Sequence, residues 1–253
     1  MSFWEHLDVL RGAVIKTILV TVVCSLVAFC FKDELFLLVL APKDSHFITY
    51  RWFNWLGTLV SVSSGVDDFS VSLINTGLAG QFAIHMKVAL YAGLMIASPY
   101  IIYLMVRFIS PALYESEKRY VYPVVIGGYI MFVLGIMLNY FLVFPFTFRF
   151  LGMYQVSQDV PNMITIESYI DTLMMMNLML GILFELPVVC WLLGKMGLLS
   201  ASFMRHYRRH AIVAVVVVAA VITPTTDMFT LFIVALPVWI LYELSILLVP
   251  EKK

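Results

Sequence analysis

Six long runs of apolar residues, nearly free of charged side chains, divide the sequence. About 20 such residues, wound as a helix, cross the roughly 30 Å hydrocarbon core of a bilayer. Apolar residues make up 62% of the chain and charged residues 13%, whereas soluble domains have roughly 45–50% and about 25%. We therefore predict an all-α polytopic membrane protein: six kinked transmembrane helices in one integral membrane domain over residues 1–253. The runs are 17–31, 88–106, 120–148, 172–194 with Glu185 inside it, 211–226 and 228–242.

The limits of the runs and the charges beside them predict where the chain enters and leaves the bilayer. Prolines in or near the spans predict the kinks, because an interior proline removes a helix hydrogen bond. The predicted spans are about 13–32, 85–107, 120–148, 171–194, 209–223 and 228–249. The predicted outer loops are about 33–84, 149–170 and 224–227, and the cytoplasmic loops about 108–119 and 195–208.

The placement of basic residues predicts the orientation. Short cytoplasmic loops of membrane proteins are enriched in Lys and Arg. Eleven of the 16 lysines and arginines fall on the side that holds both termini and the loops 108–119 and 195–208. We therefore predict that both termini are cytoplasmic.

The sequence lacks the motifs that bond-making chemistry requires. It contains no phosphate-binding G-x-x-x-x-G-K-S/T, no H-E-x-x-H and no G-x-S-x-G. His206 and His210 are four residues apart, but no further metal ligand accompanies them. Because 16 acidic residues balance the 16 basic ones, no global field favours nucleic acid. We predict a protein that is not an enzyme and that has no cofactor, no bound metal and no nucleic-acid partner.

Five short segments, taken in order, carry a more specific pattern. They are HLDVLR at 6–11, FISPALYESEKR at 108–119, FPF at 144–146, FELP at 184–187 and TPTTD at 223–227, the last followed by Pro237. Together they resemble TatC, the multispanning receptor of the twin-arginine, Sec-independent protein translocase. The resemblance covers essentially the whole chain, and F-x-x-P-A-L-Y-x-x-E-K-R is its most specific part.

The resemblance implies a fold and a function that composition does not reveal. By this resemblance, we expect the six helices to form a cupped, glove-like bundle in the bacterial cytoplasmic (inner) membrane. We expect the chain to bind twin-arginine signal peptides of folded precursor proteins at its cytoplasmic face. The resemblance also implies that the chain recruits small single-span partners of the TatA and TatB type into an oligomeric complex, with export driven by the proton-motive force.

The resemblance also implies a signal-peptide site on the cytoplasmic side. Glu117 matches the family's signal-binding glutamate; residue type alone favours a solvated loop charge paired with Lys118 or Arg119. The family motif H-L-x-E-L-R has Val9 at its glutamate, and Asp8 is the nearest carboxylate, although adjacent helical residues point about 100° apart. The other candidates for this site are Leu10, Arg11, Phe108, Pro111, Leu113 and Tyr114.

Further candidates lie in the membrane and at its outer face. A carboxylate inside a span costs a few kcal/mol and normally faces protein or water, so Glu185 is the principal intramembrane polar candidate and Lys87 the second. The resemblance assigns Pro42 and Phe82 to an outer cap. It assigns Thr223, Pro224 and Asp227 to a partner-docking hairpin.

Two alternatives from other classes remain at this point. An ion-coupled secondary transporter would use Glu185 and Lys87 for coupling, although such folds often contain paired halves and the two halves of this chain show no convincing similarity. A passive membrane assembly scaffold would have no need of Glu117.

Overall fold

The computed structural model describes residues 3–59, 71–109, 121–155, 157, 162–223 and 228–251. Nearly all of these residues are helical, as the apolar runs predict. The α-helices are α1 Phe3–Phe29, α2 Lys32–Leu40, α3 Ile48–Leu59, α4 Gly80–Ile109, α5 Val121–Leu138, α6 Phe144–Met153, α7 Ile166–Phe184, α8 Leu186–Lys195, α9 Ala201–His206, α10 Arg208–Ile222 and α11 Met228–Leu248. A 3-10 turn, Ala41–Lys43, follows α2, and a π turn, Asn139–Val143, joins α5 to α6.

Five stretches within the described residues are long and apolar enough to cross a membrane. They are Leu7–Phe29, Gly80–Phe108, Val121–Met153, Ile166–Lys195 and Met228–Leu248. The prediction of an all-α polytopic membrane protein is therefore confirmed. Helix α10 has 15 residues and rises about 22 Å at 1.5 Å per residue, so the sixth span stays a prediction.

The fourth stretch is broken where the sequence places a proline. Helix α7 begins after Thr165, whose hydroxyl accepts a hydrogen bond from the Ser168 amide and caps the helix. It ends at Phe184, and α8 begins at Leu186. Because Pro187 has no amide hydrogen, the helical ladder is interrupted at this point. Glu185 is the residue between the two helices.

Helix α7 lies at the centre of the bundle. Its side chains Ile170, Met176 and Leu180 are fully buried, and they belong to one core cluster with Val88 of α4 and Val234 of α11. Immediately before α7, a two-residue parallel ladder pairs β1, Leu73–Ile74, with β2, Ile164–Thr165. The core therefore surrounds α7, and the predicted outer loops meet at its beginning.

Helix α1 packs against α4 at a very close crossing. A Cβ added to Gly93 would overlap the Ser25 hydroxyl and lie 2.7 Å from the Ser25 Cα. The Ser25 hydroxyl also lies 3.4 Å from the carbonyl oxygen of Leu90. Only glycine permits this approach, so α1 and α4 come very close where Ser25, near the end of α1, meets Gly93, near the middle of α4.

Helices α2 and α3 form a cap that tyrosine hydroxyls bind to the bundle. The buried Tyr50 of α3 donates to the carbonyl of Pro145, at 2.8 Å, and contacts that of Pro42, at 3.3 Å. Tyr140 donates to the carbonyl of Leu38 at 2.7 Å. Burial raises the pKa of the Tyr50 hydroxyl above its ordinary value, so this group remains a donor at physiological pH.

Candidate functional site

A cleft opens between the beginning of α1 and the end of α4. Its volume is about 420 Å³. On α1, residues 8, 12 and 16 recur every fourth position and therefore share one face. On α4, residues 104, 107 and 108 share a face in the same way. The lining residues are Asp8, Val9, Gly12, Ala13, Lys16, Leu104, Arg107 and Phe108.

The cleft has charged walls and an apolar base. Asp8, Lys16 and Arg107 are exposed, and Leu104 is buried beneath them. A Cβ added to Gly12 would have no atom within 4 Å, so the space over this residue is open. The cleft can therefore receive a ligand that has both a charged group and an apolar part.

The structure brings two of the predicted signal-peptide residues together and separates two others. Asp8 and Phe108 line the same cleft. Leu10 and Arg11 are exposed on α1 and are not among the lining residues. The remaining predicted residues, Pro111, Leu113, Tyr114 and Glu117, lie outside the described residues, in the segment that follows α4.

Glu185 borders a second, largely apolar cavity between α4, α5 and the break from α7 to α8. The cavity has a volume of about 550 Å³, and its wall on α4 runs from Leu94 to Val106. Within the described residues, Glu185 Oε1 is buried without a hydrogen-bond partner. A Cβ added to Gly128 would lie 2.9 Å from Glu185 Oε2. The missing side chain of this glycine therefore makes the room that the carboxylate occupies.

Lys87 does not accompany Glu185. Its ammonium group lies 2.9 Å from Oε1 of Glu167 and 3.0 Å from Oδ2 of Asp171. These three side chains are between 42% and 59% exposed, so the ion pairs join α4 to the beginning of α7 at the bundle surface. The structure thus gives Lys87 a different set of neighbours from the cavity that Glu185 borders.

The predicted cap and docking residues occupy contrasting environments. Pro42 is buried in the 3-10 turn, whereas Phe82 is 63% exposed near the start of α4. Thr223 is buried at the end of α10, where its hydroxyl donates to the carbonyl of Ala219 at 3.0 Å. Pro224 and Asp227 lie outside the described residues.

Sequence reasoning missed a buried amide pair between the spans. Asn139 of the π turn donates its side-chain amide to Oδ1 of Asn177 on α7 at 2.8 Å. Both residues interrupt otherwise apolar runs, and this pattern was the available signal. No group of three or more potential metal ligands occurs in the described part of the chain.

Known proteins resemble this chain over nearly its whole length. The family model described as Sec-independent protein translocase protein (TatC) matches residues 5–237. A protein of that name from a Blattabacterium of Periplaneta americana is 32% identical over 250 residues, which cover 97% of this chain and 94% of the relative. One from Desulforapulum autotrophicum is 34% identical, with 97% and 83% covered. One from Aquifex aeolicus is 32% identical, with 98% and 94% covered.

Two solved structures have the same fold. A crystal structure titled Twin Arginine Translocase Receptor TatC, in the detergent DDM, has a TM-score of 0.78, is 31% identical and is covered over 99%, with 96% of this chain. A second structure of that receptor has a TM-score of 0.75 and 32% identity, with 97% of it and 96% of this chain covered. The family prediction is thereby confirmed. The chain is a multi-pass membrane protein that belongs to the TatC family, the non-enzymatic receptor component of the Sec-independent protein translocase.

Proposed function

We propose that this chain binds the twin-arginine signal peptides of folded precursor proteins through the α1–α4 cleft and the segment that follows α4. The observation that carries the proposal is the position of Asp8 beside Phe108, in one cleft at the end of α4. The segment with Pro111, Leu113, Tyr114 and Glu117 continues directly from that end. With Asp8 in the cleft and Glu117 nine residues after Phe108, two carboxylates would be available to the peptide.

The chemistry of the arginine pair suits such an arrangement. Each guanidinium group presents a planar fork of donors that a carboxylate accepts through two parallel hydrogen bonds, whereas a lysine ammonium acts as a point charge. Asp8 and Glu117 would each accept one arginine. Phe108 would contact apolar residues that follow the pair, and Leu10 and Arg11 would form the outer border of the site.

The distribution of charge supports a cytoplasmic location for this site. The cleft lies at the end of the bundle that faces the N-terminus and the residue 110–120 segment, which is the side with most Lys and Arg. We propose that both termini face the cytoplasm of a bacterium, that α10 is the sixth span, and that the proton-motive force drives export.

Partner recruitment is the second part of the proposed function. Small single-span partners of the TatA and TatB type would dock at the hairpin that contains Thr223, Pro224 and Asp227. Glu185 would accept a hydrogen bond from a helix that enters its cavity, because a carboxylate in an apolar surrounding is strongly stabilised by a donor. The cap formed by α2 and α3, with Pro42 in the turn after α2 and with Phe82 at the start of α4, would close the outer side, where Lys87 pairs with residues of α7.

Peptide binding to the purified full-length chain tests the proposal. One signal peptide carries Arg-Arg and the other Lys-Lys, and the variants are Glu117→Gln and Asp8→Asn. We expect the chain to prefer Arg-Arg, and each variant to weaken its binding at least tenfold, because a hydrogen bond to a charged group contributes about 1.5–3 kcal/mol. The control is Asp44→Asn, an exposed carboxylate next to the 3-10 turn. Equal binding of both peptides, unchanged by Glu117→Gln, would overturn the proposal.

A further inference from the structure

The lining of the α1–α4 cleft contains positive charge that a site for arginine side chains does not need. Its lining has two cations, Lys16 and Arg107, and one anion, Asp8. Where the family motif has a glutamate, Val9 lines the wall and adds no negative charge. The net charge of the lining is therefore positive. An arginine pair that enters this cleft meets repulsion from the same walls that hold Asp8.

The two cations lie at different depths. Arg107 has an interface position, one residue before the end of the membrane-crossing stretch Gly80–Phe108, whereas Lys16 is the tenth of the 23 residues of Leu7–Phe29 and lies deeper. A long basic side chain at such a position extends its charged end toward the lipid headgroups and keeps its stem on the apolar surface. Basic pockets between transmembrane helices on the cytoplasmic side bind acidic lipid headgroups.

The shape of the cleft suits a lipid better than a free anion. Leu104 and Ala13 provide an apolar base below the two cations, and the space over Gly12 is open. A phosphate between Lys16 and Arg107 would leave room for an acyl chain along that base. A free phosphate ion would use the cations but none of the apolar surface.

We propose that the α1–α4 cleft binds an anionic phospholipid, with its phosphate between Lys16 and Arg107 and an acyl chain against Leu104. The single negative charge of the bound phosphate, together with that of Asp8, balances the two cations. It adds an anion to a lining in which Val9 stands where the family motif has its glutamate. The lipid thereby completes the site for the arginine pair by removing the net repulsion. This last step rests on the proposed function, whereas lipid binding itself does not.

Lipid retention by the delipidated full-length chain tests the site without any signal peptide. Native mass spectrometry would compare phosphatidylglycerol with phosphatidylcholine in mixed micelles. We expect phosphatidylglycerol to bind more tightly, and Lys16→Gln and Arg107→Gln each to weaken it about fivefold, the contribution of one basic residue near an anionic membrane surface. Asp8→Asn is expected to strengthen binding. The matched control is Arg209→Gln, an exposed arginine outside the cleft.

Three results would overturn the lipid inference. They are equal retention of the two lipids, an equal loss in Arg209→Gln, and full competition by inorganic phosphate at the concentration of the lipid, which would identify a free-anion site. Because Lys16 and Arg107 are both exposed, we expect their variants to fold as wild type does. Melting temperatures equal to that of wild type, within error, would exclude misfolding as the cause of weaker lipid binding.

The variant Val9→Glu separates this inference from the proposed function. It returns a carboxylate to the family position, so we expect it to weaken phosphatidylglycerol binding. We also expect phosphatidylglycerol to strengthen Arg-Arg peptide binding to wild type, but not to Val9→Glu or Lys16→Gln. If the lipid binds as expected and no Arg-Arg preference occurs in any membrane, the proposed function fails and the lipid site stands. If peptide binding to wild type is the same with and without phosphatidylglycerol, the completing role of the lipid is wrong.

Discussion

The side-chain amide of Asn139 donates to Oδ1 of Asn177 across the buried interface between the π turn and α7. Asn139 is fully buried and Asn177 is 5% exposed. The π turn advances the chain by one extra residue and places the amide on the side that faces α7. The pair thus forms a buried hydrogen bond between the third and fourth membrane-crossing stretches.

The amide pair should contribute a coupling energy between about 0.6 and 1.7 kcal/mol, the average and the maximum for hydrogen bonds between membrane helices in double-mutant cycles. A double-mutant cycle with Asn139→Leu, Asn177→Leu and the double variant would measure it, with unfolding by a denaturing detergent as the readout. Each single variant leaves one amide buried without its partner, so the double variant should lose less stability than the sum of the two. A coupling energy of zero would show that the amides act independently.

Three glycines of α5 should respond differently to alanine. Gly135→Ala is expected to lower the free energy of unfolding by about 1–3 kcal/mol, because the added Cβ would lie 2.7 Å from the Leu180 carbonyl oxygen. Gly127→Ala meets no atom within 4 Å and should raise stability by up to about 1 kcal/mol through helix propensity.

Gly128→Ala is the informative member of this series. Its Cβ would lie 2.9 Å from Glu185 Oε2, the movable end of a side chain, so its unfolding energy should change less than that of Gly135→Ala. The carboxylate must move, however, so modification of Glu185 by a carboxyl-directed reagent should change in rate. An unchanged rate would show that Gly128 does not hold the carboxylate in place.

Tyr50→Phe should loosen the cap. The variant removes the hydrogen bond to the Pro145 carbonyl and leaves this buried group without that donor, at a cost of about 1–2 kcal/mol. Thermal unfolding in detergent would measure the loss, and Tyr154→Phe, at a residue that is 63% exposed, is the matched control. Equal melting temperatures of wild type and Tyr50→Phe would contradict the role of this hydrogen bond in holding the cap on the bundle.

The same residue predicts a pH dependence with a defined sign. Burial raises the folded-state pKa of Tyr50, whereas the unfolded value is about 10. The stability from this group is therefore constant below about pH 10 and falls as the pH rises toward the folded-state pKa. Between the unfolded and the folded pKa, wild type should lose stability relative to Tyr50→Phe. If the free energies of unfolding of the two proteins change in parallel with pH above about pH 10, this prediction is wrong.

Lys87→Met should have a small, salt-dependent effect. It removes the ion pairs with Glu167 and Asp171 and leaves two like charges one helical turn apart. Because all three side chains are more than 40% exposed, each pair is worth at most about 1 kcal/mol. The loss should shrink at high salt and in the double variant with Asp171→Asn. Lys32→Met, at the exposed start of α2, is the control, and an equal loss there would assign the effect to charge in general.

The helices of the bundle are predictable from the sequence because apolar runs of span length leave the backbone no other way to satisfy its hydrogen bonds in lipid. Pro187 likewise predicts an interruption near Glu185. The helices α2 and α3 are not predicted, because they fall within a segment that the sequence predicts as an outer loop. Their stability depends on distant partners such as the Pro145 carbonyl. Long-range contacts of this kind have no local signature.

The candidate site is likewise predictable only in part. Residue type and motif are enough to single out Asp8, Phe108 and Glu185. In the sequence, the cations Lys16 and Arg107 serve only to predict orientation, because their shared position beside Asp8 depends on how α1 and α4 cross. The partners of Lys87 are equally hidden, since about 80 residues separate them from it in the chain.

The close contact between Ser25 and Gly93 lies near the end of α1, so most of this helix, including Lys16, is on one side of it. Lys16 is nine residues from Ser25, about 14 Å along the axis, and Phe29 is four residues away on the other side, about 6 Å. A rigid tilt of α1 that widens the cleft must press Phe29 toward His85, on which it already stacks with ring centroids 4.1 Å apart. The contact between Phe29 and His85 therefore limits how far the part of α1 that carries Lys16 can tilt away from α4. The width of the cleft thus depends on a contact at the opposite end of α1.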